Sequence, residues 1–316
     1  MQTNKTYLQS SRLGELTPGQ AARWALTGLA LSPFYWLLAS FHDVPGLHLR
    51  WQCLRLGMRL LLNRQSPISF KTIYLTMFFP LDSTRHFELD FAWRALTARP
   101  PGRYLDVSSP RLLFALMLAK QGRQEAELIN PDKADLAETE TLLRAAGLMS
   151  RCRLHGCLIE DAPFAPASFD TISSISVVEH IPKDREAIHK IWGLLKPGGR
   201  FILTVPCATR TSEQYIDRDE YGLHGGEKGG HVFWQRFYDP ALLEERIFSV
   251  TGKPRVTRVF GEREAGSFLR SATRKRTDRF YPFWREPYMV AQEYAFFDSV
   301  SELPGEGVIA MEFVKP

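Results

Sequence analysis

Residues 158–206 read LIEDAPFAPASFDTISSISVVEHIPKDREAIHKIWGLLKPGGRFILTVP. Phe169–Ile175 is a short apolar run of strand type, and Ser176 to Glu179 lead out of it to a polar boundary at Pro182. Ala187, Ile188, Ile191, Trp192, Leu194 and Leu195 then recur at helical spacing. Lys196-Pro197-Gly198-Gly199 stops that helix, because proline cannot continue the amide ladder and glycine accepts the turn a helix end needs. Residues 200–205 form a second, nearly continuous apolar strand, as expected where both faces of a sheet are covered. Strand, helix, glycine turn and strand make a βαβ unit, with parallel strands and a right-handed crossover.

Within this stretch, Pro163-Phe164, Ser168-Phe169-Asp170, Val178-Glu179-His180-Ile181 and Leu195-Lys196-Pro197-Gly198-Gly199 follow in a specific order and at specific intervals. Each piece alone is weak. Together they make the chain resemble the class I S-adenosylmethionine-dependent methyltransferases, in the subgroup acting on small molecules. The resemblance implies an α/β fold of Rossmann-like type, with a doubly wound, seven-stranded, mostly parallel sheet. It also implies S-adenosyl-L-methionine as cofactor and a small-molecule acceptor.

Outward from the unit, residues 103–107, 125–130 and 151–159 read as three further strands, alternating with helices at 110–121 and 133–146. A helix runs from Ser83 to about Thr97. The tail gives a helix at 239–247 behind a helix entrance at 233–239, a strand at 254–260, an irregular insert at 263–304 and a final strand at 307–314. The methyltransferase domain is therefore expected at 68–316, after an N-terminal helical extension or cap at 1–67.

That extension has its own chemistry. Residues 1–16 read as disordered or loosely docked, and Thr17-Pro18-Gly19-Gln20 has the form of a capping box with proline at the first helical position. Trp24 to Phe41 carries no charge, but Pro33 is expected to cut it into two short helices, neither able to span a bilayer. Residues 46–64 read as an amphipathic helix, with Leu47, Trp51, Leu54, Leu56, Leu60 and Leu61 on a broad apolar face and Arg50, Arg55, Arg59 and Arg64 elsewhere. A basic amphipathic helix beside a hydrophobic hairpin suits a cap docked on its own domain, the expectation here, or a peripheral membrane contact through residues 20–64.

Residues 1–64 hold Lys5, Arg12, Arg23, Arg50, Arg55, Arg59 and Arg64 against Glu15 and Asp43, a surplus equal to the whole formal net charge of +5. The remainder is near neutral, which argues against nucleic acid as the main partner. Cys53, Cys152, Cys157 and Cys207 follow no metal spacing and suit buried thiols in a reducing compartment. No secretory leader opens the chain, so it is expected in the cytoplasm, with membrane association as the variant.

In an open α/β sheet the ligand lies beyond the C-terminal ends of the strands, at the switch point. There Leu105-Asp106-Val107-Ser108-Ser109-Pro110 stands where the family writes Leu-Asp-Val-Gly-x-Gly. The resemblance implies that Asp106 orients the loop and reaches the cofactor's amino group through water. Ser108, Ser109 and Pro110 stand in place of the glycines, whose freedom allows close backbone approach, so the loop is expected to take another path. Asn130 takes the ribose position, with Asp132 as fallback. Glu160 and Asp161 are the candidates beside adenine, and Ser176 and Val177 line the cofactor near its methyl group. For catalysis His180 is the leading base and His224 the second. His224 and His231 without a third ligand do not make a metal site, and no metal is expected. The expected reaction is O-methylation of a saccharide, a lipid-linked precursor or a secondary metabolite. The alternatives are a catalytically silent, methyltransferase-like binding or scaffold protein and a membrane-surface lipid or quinone methyltransferase.

Overall fold

The βαβ unit lies at the middle of an eight-stranded sheet. In this computed structural model, residues 4–8, 16–63, 67–120, 126–217, 219 and 231–316 are described. The chain begins with β1 (Asn4–Leu8), α1 (Pro18–Ser40), α2 (Leu49–Leu62), α3 (Phe70–Phe78) and α4 (Arg85–Ala98). The alternating part follows as β2 (Tyr104–Val107), α5 (Arg111–Lys120), β3 (Ala126–Ile129), α6 (Lys133–Ala145), β4 (Cys152–His155), β5 (Phe169–Ile175), α7 (Asp184–Leu194) and β6 (Leu195–Ala208). β7 (Ser212–Ile216) and β8 (Val232–Phe237) come next. A helical segment of α8 (Pro240–Leu243) and α9 (Ser249–Thr251), joined through a π turn at Glu244–Phe248, leads to β9 (Val256–Glu262). α10 (Ser267–Thr277), α11 (Glu286–Glu293), β10 (Tyr294–Phe297) and β11 (Glu306–Val314) complete it.

The large sheet runs β10-β9-β11-β6-β5-β2-β3-β4. β4, β3, β2, β5 and β6 are parallel, and β11 is antiparallel to both β6 and β9. β2 and β3 are buried at every position, Asp106 and Glu127 included, as expected for central strands covered on both faces. The glycine turn Lys196-Pro197-Gly198-Gly199 bulges at the start of β6: Phe169 pairs with Leu195, whereas Thr171 already pairs with Arg200. Gly198 takes φ +73° there.

Several elements depart from the sequence reading. The sheet has eight strands, not seven, because the segment read as an irregular insert folds into α10, α11 and the edge strand β10. Residues 233–239, read as a helix entrance, belong mainly to β8, which with β7 and β1 forms a separate three-stranded sheet. Residues 4–8, read as unstructured, are its parallel edge. Such pairing is set by distant partners and leaves little trace in local pattern.

Pro33 does not cut the N-terminal run: α1 is one helix of 23 residues. Losing one amide bond at a proline costs about 3 kcal/mol, and packing on both sides of it offsets that. Upstream, Tyr74 Oη donates to Ala25 O (2.6 Å) and Trp24 Nε1 to Tyr281 O (3.2 Å). Gly28 permits this closeness, since a Cβ there would lie 2.8 Å from Tyr74 Oη. Downstream, Tyr35 meets Tyr288 and the Arg285 guanidinium. No helix among the described residues is long and apolar enough to cross a membrane. α2 inserts Leu49, Cys53, Leu56 and Leu60 into the same core as α4, α5 and α6. Its polarity is not as read: Arg50 is buried against the Trp36 ring, while Trp51 and Leu61 are exposed.

Candidate cofactor and acceptor sites

β2 pairs with β3 on one side and with β5 on the other, so the chain reverses direction across the sheet between β2 and β5. Beyond the C-terminal ends of these strands lies a cleft of about 460 Å³, within the range of small-molecule sites. Its walls are Val107 and Ser108 after β2, Ile129 to Asp132 after β3 with Asp135 of α6, residues 158–160, and Ser176, Val177 and His180 to Lys183 after β5.

The loop after β2 follows the path a glycine would take, contrary to expectation. Ser108 itself adopts φ +52°, a left-handed conformation that costs an ordinary residue about 1–2 kcal/mol. Its backbone N–H and its Oγ both donate to Ile129 O, each at 2.9 Å, which holds the turn. Among the described residues only Ser83, Ala167 and Ser176 share such a φ without being glycine. Ser108 and Ser176 line this cleft, and Ser83 and Ser176 line the cavity behind it. Strain of this kind gathers where a fold holds a site.

Seven residues singled out from the sequence line the cleft: Ser108, Asn130, Asp132, Glu160, Ser176, Val177 and His180. Asp106 and Ser109 do not. Asp106 is fully buried and accepts from Tyr104 Oη (2.9 Å), Ser173 Oγ (2.7 Å) and the Ser109 amide (2.9 Å). Burial holds its carboxyl above the usual range. Both oxygens are engaged in tying β2 to β5 and to the loop, so it acts as a brace behind the cleft. Ser109 Oγ accepts from the Ile175 amide (3.1 Å) and is likewise sealed in. Asp161 does not line the cleft either; its amide donates to Leu158 O in a tight turn. His224 lies outside the described residues.

The side-chain amide of Asn130, expected at the ribose, is taken up locally: Nδ2 donates to Asp135 Oδ2 (2.8 Å) and Oδ1 accepts from the Asp132 amide (2.9 Å). Beside Asn130, Asp132 and Asp135 also line the cleft. Asp132 caps α6, accepting from the Ala134 and Asp135 amides. Burial raises the Asp135 carboxyl although Arg111 stands nearby. Sequence reading missed Asp135, and its signal was a carboxylate in the first turn of a helix that starts at the cleft.

Ser176 and His180 also face a second cavity of about 330 Å³, on the far side from Ile129 and Asn130. It is lined by Ser83, Arg85 and Glu88, by Glu179, by Trp234 and Phe237, by Phe268 and Lys275, and by Tyr294 and Glu306. Glu179 is its most unusual group. It is 1% exposed, its Oε1 accepts from Ser176 Oγ (2.6 Å), and its Oε2 has no partner. Burial, reinforced by nearby Glu88, pushes its carboxyl up to about 8. Burial, with Glu262 close by, pushes Glu306 to about 7. Trp234 Nε1 is also buried without a partner. The cations here are already matched: Lys275 pairs with Asp82 and Glu286, and Arg85 with Glu88.

His180 Nδ1 lies 2.6 Å from Trp234 O. A carbonyl only accepts, so Nδ1 carries the proton and the ring is fixed, with Nε2 3.9 Å from Glu179 Oε1. Arg236 and Tyr238 close a buried cluster on Asp184 beneath the site. The aromatic residues of the former insert pack on α1, with Trp24 against Phe283 and Trp284.

Residues 105–203 match the family described as "Methyltransferase domain". Among curated proteins, the chain is 28% identical over 169 residues to a ubiquinone biosynthesis O-methyltransferase of Alkalilimnicola ehrlichii, covering 52% of this chain and 66% of that protein. It is 25% identical to a ubiquinone/menaquinone biosynthesis C-methyltransferase of Geotalea daltonii, over 39% of this chain and 55% of that one. The chain thus spans between about half and two thirds of these relatives. A solved structure of the MccD protein superposes with a TM-score of 0.50 at 10% identity, over 75% of this chain and all of that one. Residues 105–203 thus carry a methyltransferase domain, set in a sheet whose central strands are parallel.

Proposed function

We propose that this methyltransferase-domain chain methylates a hydroxyl oxygen of an uncharged small molecule, with S-adenosyl-L-methionine in the cleft, the acceptor in the second cavity and Glu179 as base. The observation that carries the reading is the wall common to both cavities, Ser176 and His180. An in-line transfer needs donor and acceptor on either side of one opening, and alignment supplies most of the acceleration.

The cleft's own groups fit the cofactor. Ile129, Leu158 and Ile159 offer an apolar slot for adenine, and Asp132 and Asp135 offer acceptors for ribose hydroxyls. Asp132, Asp135 and Glu160 outnumber the one lysine, Lys183, which is exposed at the rim, and this suits a cationic sulfonium. When bound, the cofactor supplies an electrophilic methyl group on a sulfur that leaves uncharged.

The protein's part is then to hold the acceptor and take its proton. The unpartnered Oε2 of Glu179 and Nε1 of Trp234 would be satisfied by a hydroxyl that donates to one and accepts from the other. Glu179 takes the hydroxyl proton as the oxygen attacks, and its raised affinity for protons suits that task near neutral pH. His180, fixed through Trp234 O, stands beside it as a positioning group. The matched cations favour an acceptor without an anionic group. The similarity to a protein named for O-methylation supports oxygen as the acceptor atom. Saccharides, lipid-linked precursors, phenols and secondary metabolites all fall in this class.

The test is transfer of labelled methyl from S-adenosylmethionine to a panel of neutral phenols, glycosides and amines. Label on hydroxyl compounds, with kcat/KM rising as pH passes about 8, is expected. Label only on amines, or no cofactor binding at all, overturns the reading, and the latter would favour a silent scaffold.

A further inference from the structure

α1 is built inside out for a helix facing water. Its buried positions are Gly28, Ser32 and Ala39, small or polar residues that let it lie close to α3. Its outward stripe is Leu26, Leu29, Phe34, Leu37 and Phe41, with Phe41 76% exposed. At 3.6 residues per turn these positions, with Phe41 just past the end of the helix, fall within an arc of about 140°, so they share one broad face. α2 continues the pattern. Leu49, Cys53, Leu56 and Leu60 face the core, whereas Trp51, Met58 and Leu62 form an opposite, exposed stripe. The Trp36 and Trp51 rings, 5.4 Å apart, join the two helices. Most of the large hydrophobic side chains exposed among the described residues fall between residues 26 and 70. Scattered exposed apolar residues are ordinary, but a continuous field of them marks a docking surface.

The charges around this field say what docks. Arg23, Arg55, Arg59 and Lys71 are exposed, and none is held in an ion pair among the described residues. Between residues 16 and 78 the sequence has a single carboxylate, Asp43. Large apolar groups, a tryptophan and a fringe of unmatched cations are the complement of an anionic lipid surface.

We propose that the outer faces of α1 and α2 seat the protein on an anionic lipid bilayer, with the helices lying in the interface. At the helical rise α1 is about 34 Å long, and its apolar side chains would reach the headgroup–acyl boundary. Docked this way, α1 brings the segment it packs against to the lipid: Trp24 Nε1 donates to Tyr281 O, and α10 of that segment contributes Phe268, Ala272 and Lys275 to the second cavity. The proposal goes beyond the reaction proposed above and does not depend on it.

The test is sedimentation of the full chain with vesicles of phosphatidylglycerol and phosphatidylcholine, or of phosphatidylcholine alone, with size measured in the absence of lipid. Pelleting with the anionic vesicles is expected. It should fall at least tenfold in the double variant Leu37→Glu, Phe41→Glu, and at least threefold in Arg55→Glu, Arg59→Glu or at high salt, where charge attraction is screened. Both variants change exposed side chains, and unchanged cofactor binding checks their fold. Absence of pelleting, or pelleting that both variants retain, overturns the proposal. A lipid-free dimer that Leu37→Glu, Phe41→Glu dissolves, without vesicle binding by either protein, assigns the face to a second copy and overturns it too.

Discussion

In and behind the cleft at the ends of β2, β3 and β5, buried polar groups are engaged with one another. Asp106 is bonded to Tyr104, Ser173 and Ser109, and Asn130 to Asp132 and Asp135. The cavity across Ser176 is the reverse, with Glu179 Oε2 and Trp234 Nε1 buried and unpartnered and two carboxyls pushed towards neutrality. On the proposed reaction the first region needs a fixed shape for one ligand, and paired groups supply it. The second holds desolvated groups ready for a proton transfer, which costs stability. Substitutions in the two regions should therefore fail differently: brace residues in stability and cofactor affinity, the unpartnered carboxyl in turnover.

Glu179→Gln sharpens this most. Loss of the base should lower kcat by about 10²–10⁴-fold, while cofactor affinity by calorimetry stays within about threefold of wild type. The same change should stabilise the fold at pH 8. Glu179 titrates near 4.5 unfolded and about 8 folded, so below 4.5 both states hold the proton and above it the unfolded chain ionises first. Stability is thus lost as pH rises from 4.5 towards 8, by a few kcal/mol, and the amide removes that loss. Equal activity in the variant would break the comparison.

Asp106→Ala should act through the fold. It strands Tyr104, Ser173 and the Ser109 amide in a buried site, so unfolding free energy in urea should drop by about 3–5 kcal/mol and cofactor affinity by about tenfold or more. His180→Asn, which disturbs a positioning bond to Trp234 O, should lower kcat by about tenfold, well short of Glu179→Gln. An effect larger than that of Glu179→Gln would return the base to His180.

What the sequence disclosed follows the same division. The strands and turns of residues 103–205 were legible because their signals are local: the helix stop at Lys196-Pro197-Gly198-Gly199 and the nearly continuous apolar run of β6, which is buried on both faces. The second cavity was not, since its walls come from α4, β8, α10, β10 and β11, far apart in the chain. Glu179 lay in a quoted motif, yet only the fold shows that one of its oxygens is unpartnered. Pro33 misled because local propensity could not weigh the packing of Trp24 and Tyr35. The two faces of α2 were hidden because Trp51 and Leu61 count as core by type.

Ser108→Gly gives the smallest effect. The left-handed strain disappears, but so does the bond from Ser108 Oγ to Ile129 O, so stability should change by under about 1 kcal/mol and cofactor affinity by under threefold. Ser108→Val, which cannot relieve the strain, should weaken both.

The most direct test of the central claim, two sites meeting at Ser176 and His180, is calorimetric titration of the full chain and of Glu179→Gln with S-adenosylhomocysteine. The account predicts saturable one-to-one binding in the micromolar range, nearly equal for the two proteins. No saturable heat up to millimolar ligand, or binding abolished by Glu179→Gln, would contradict it.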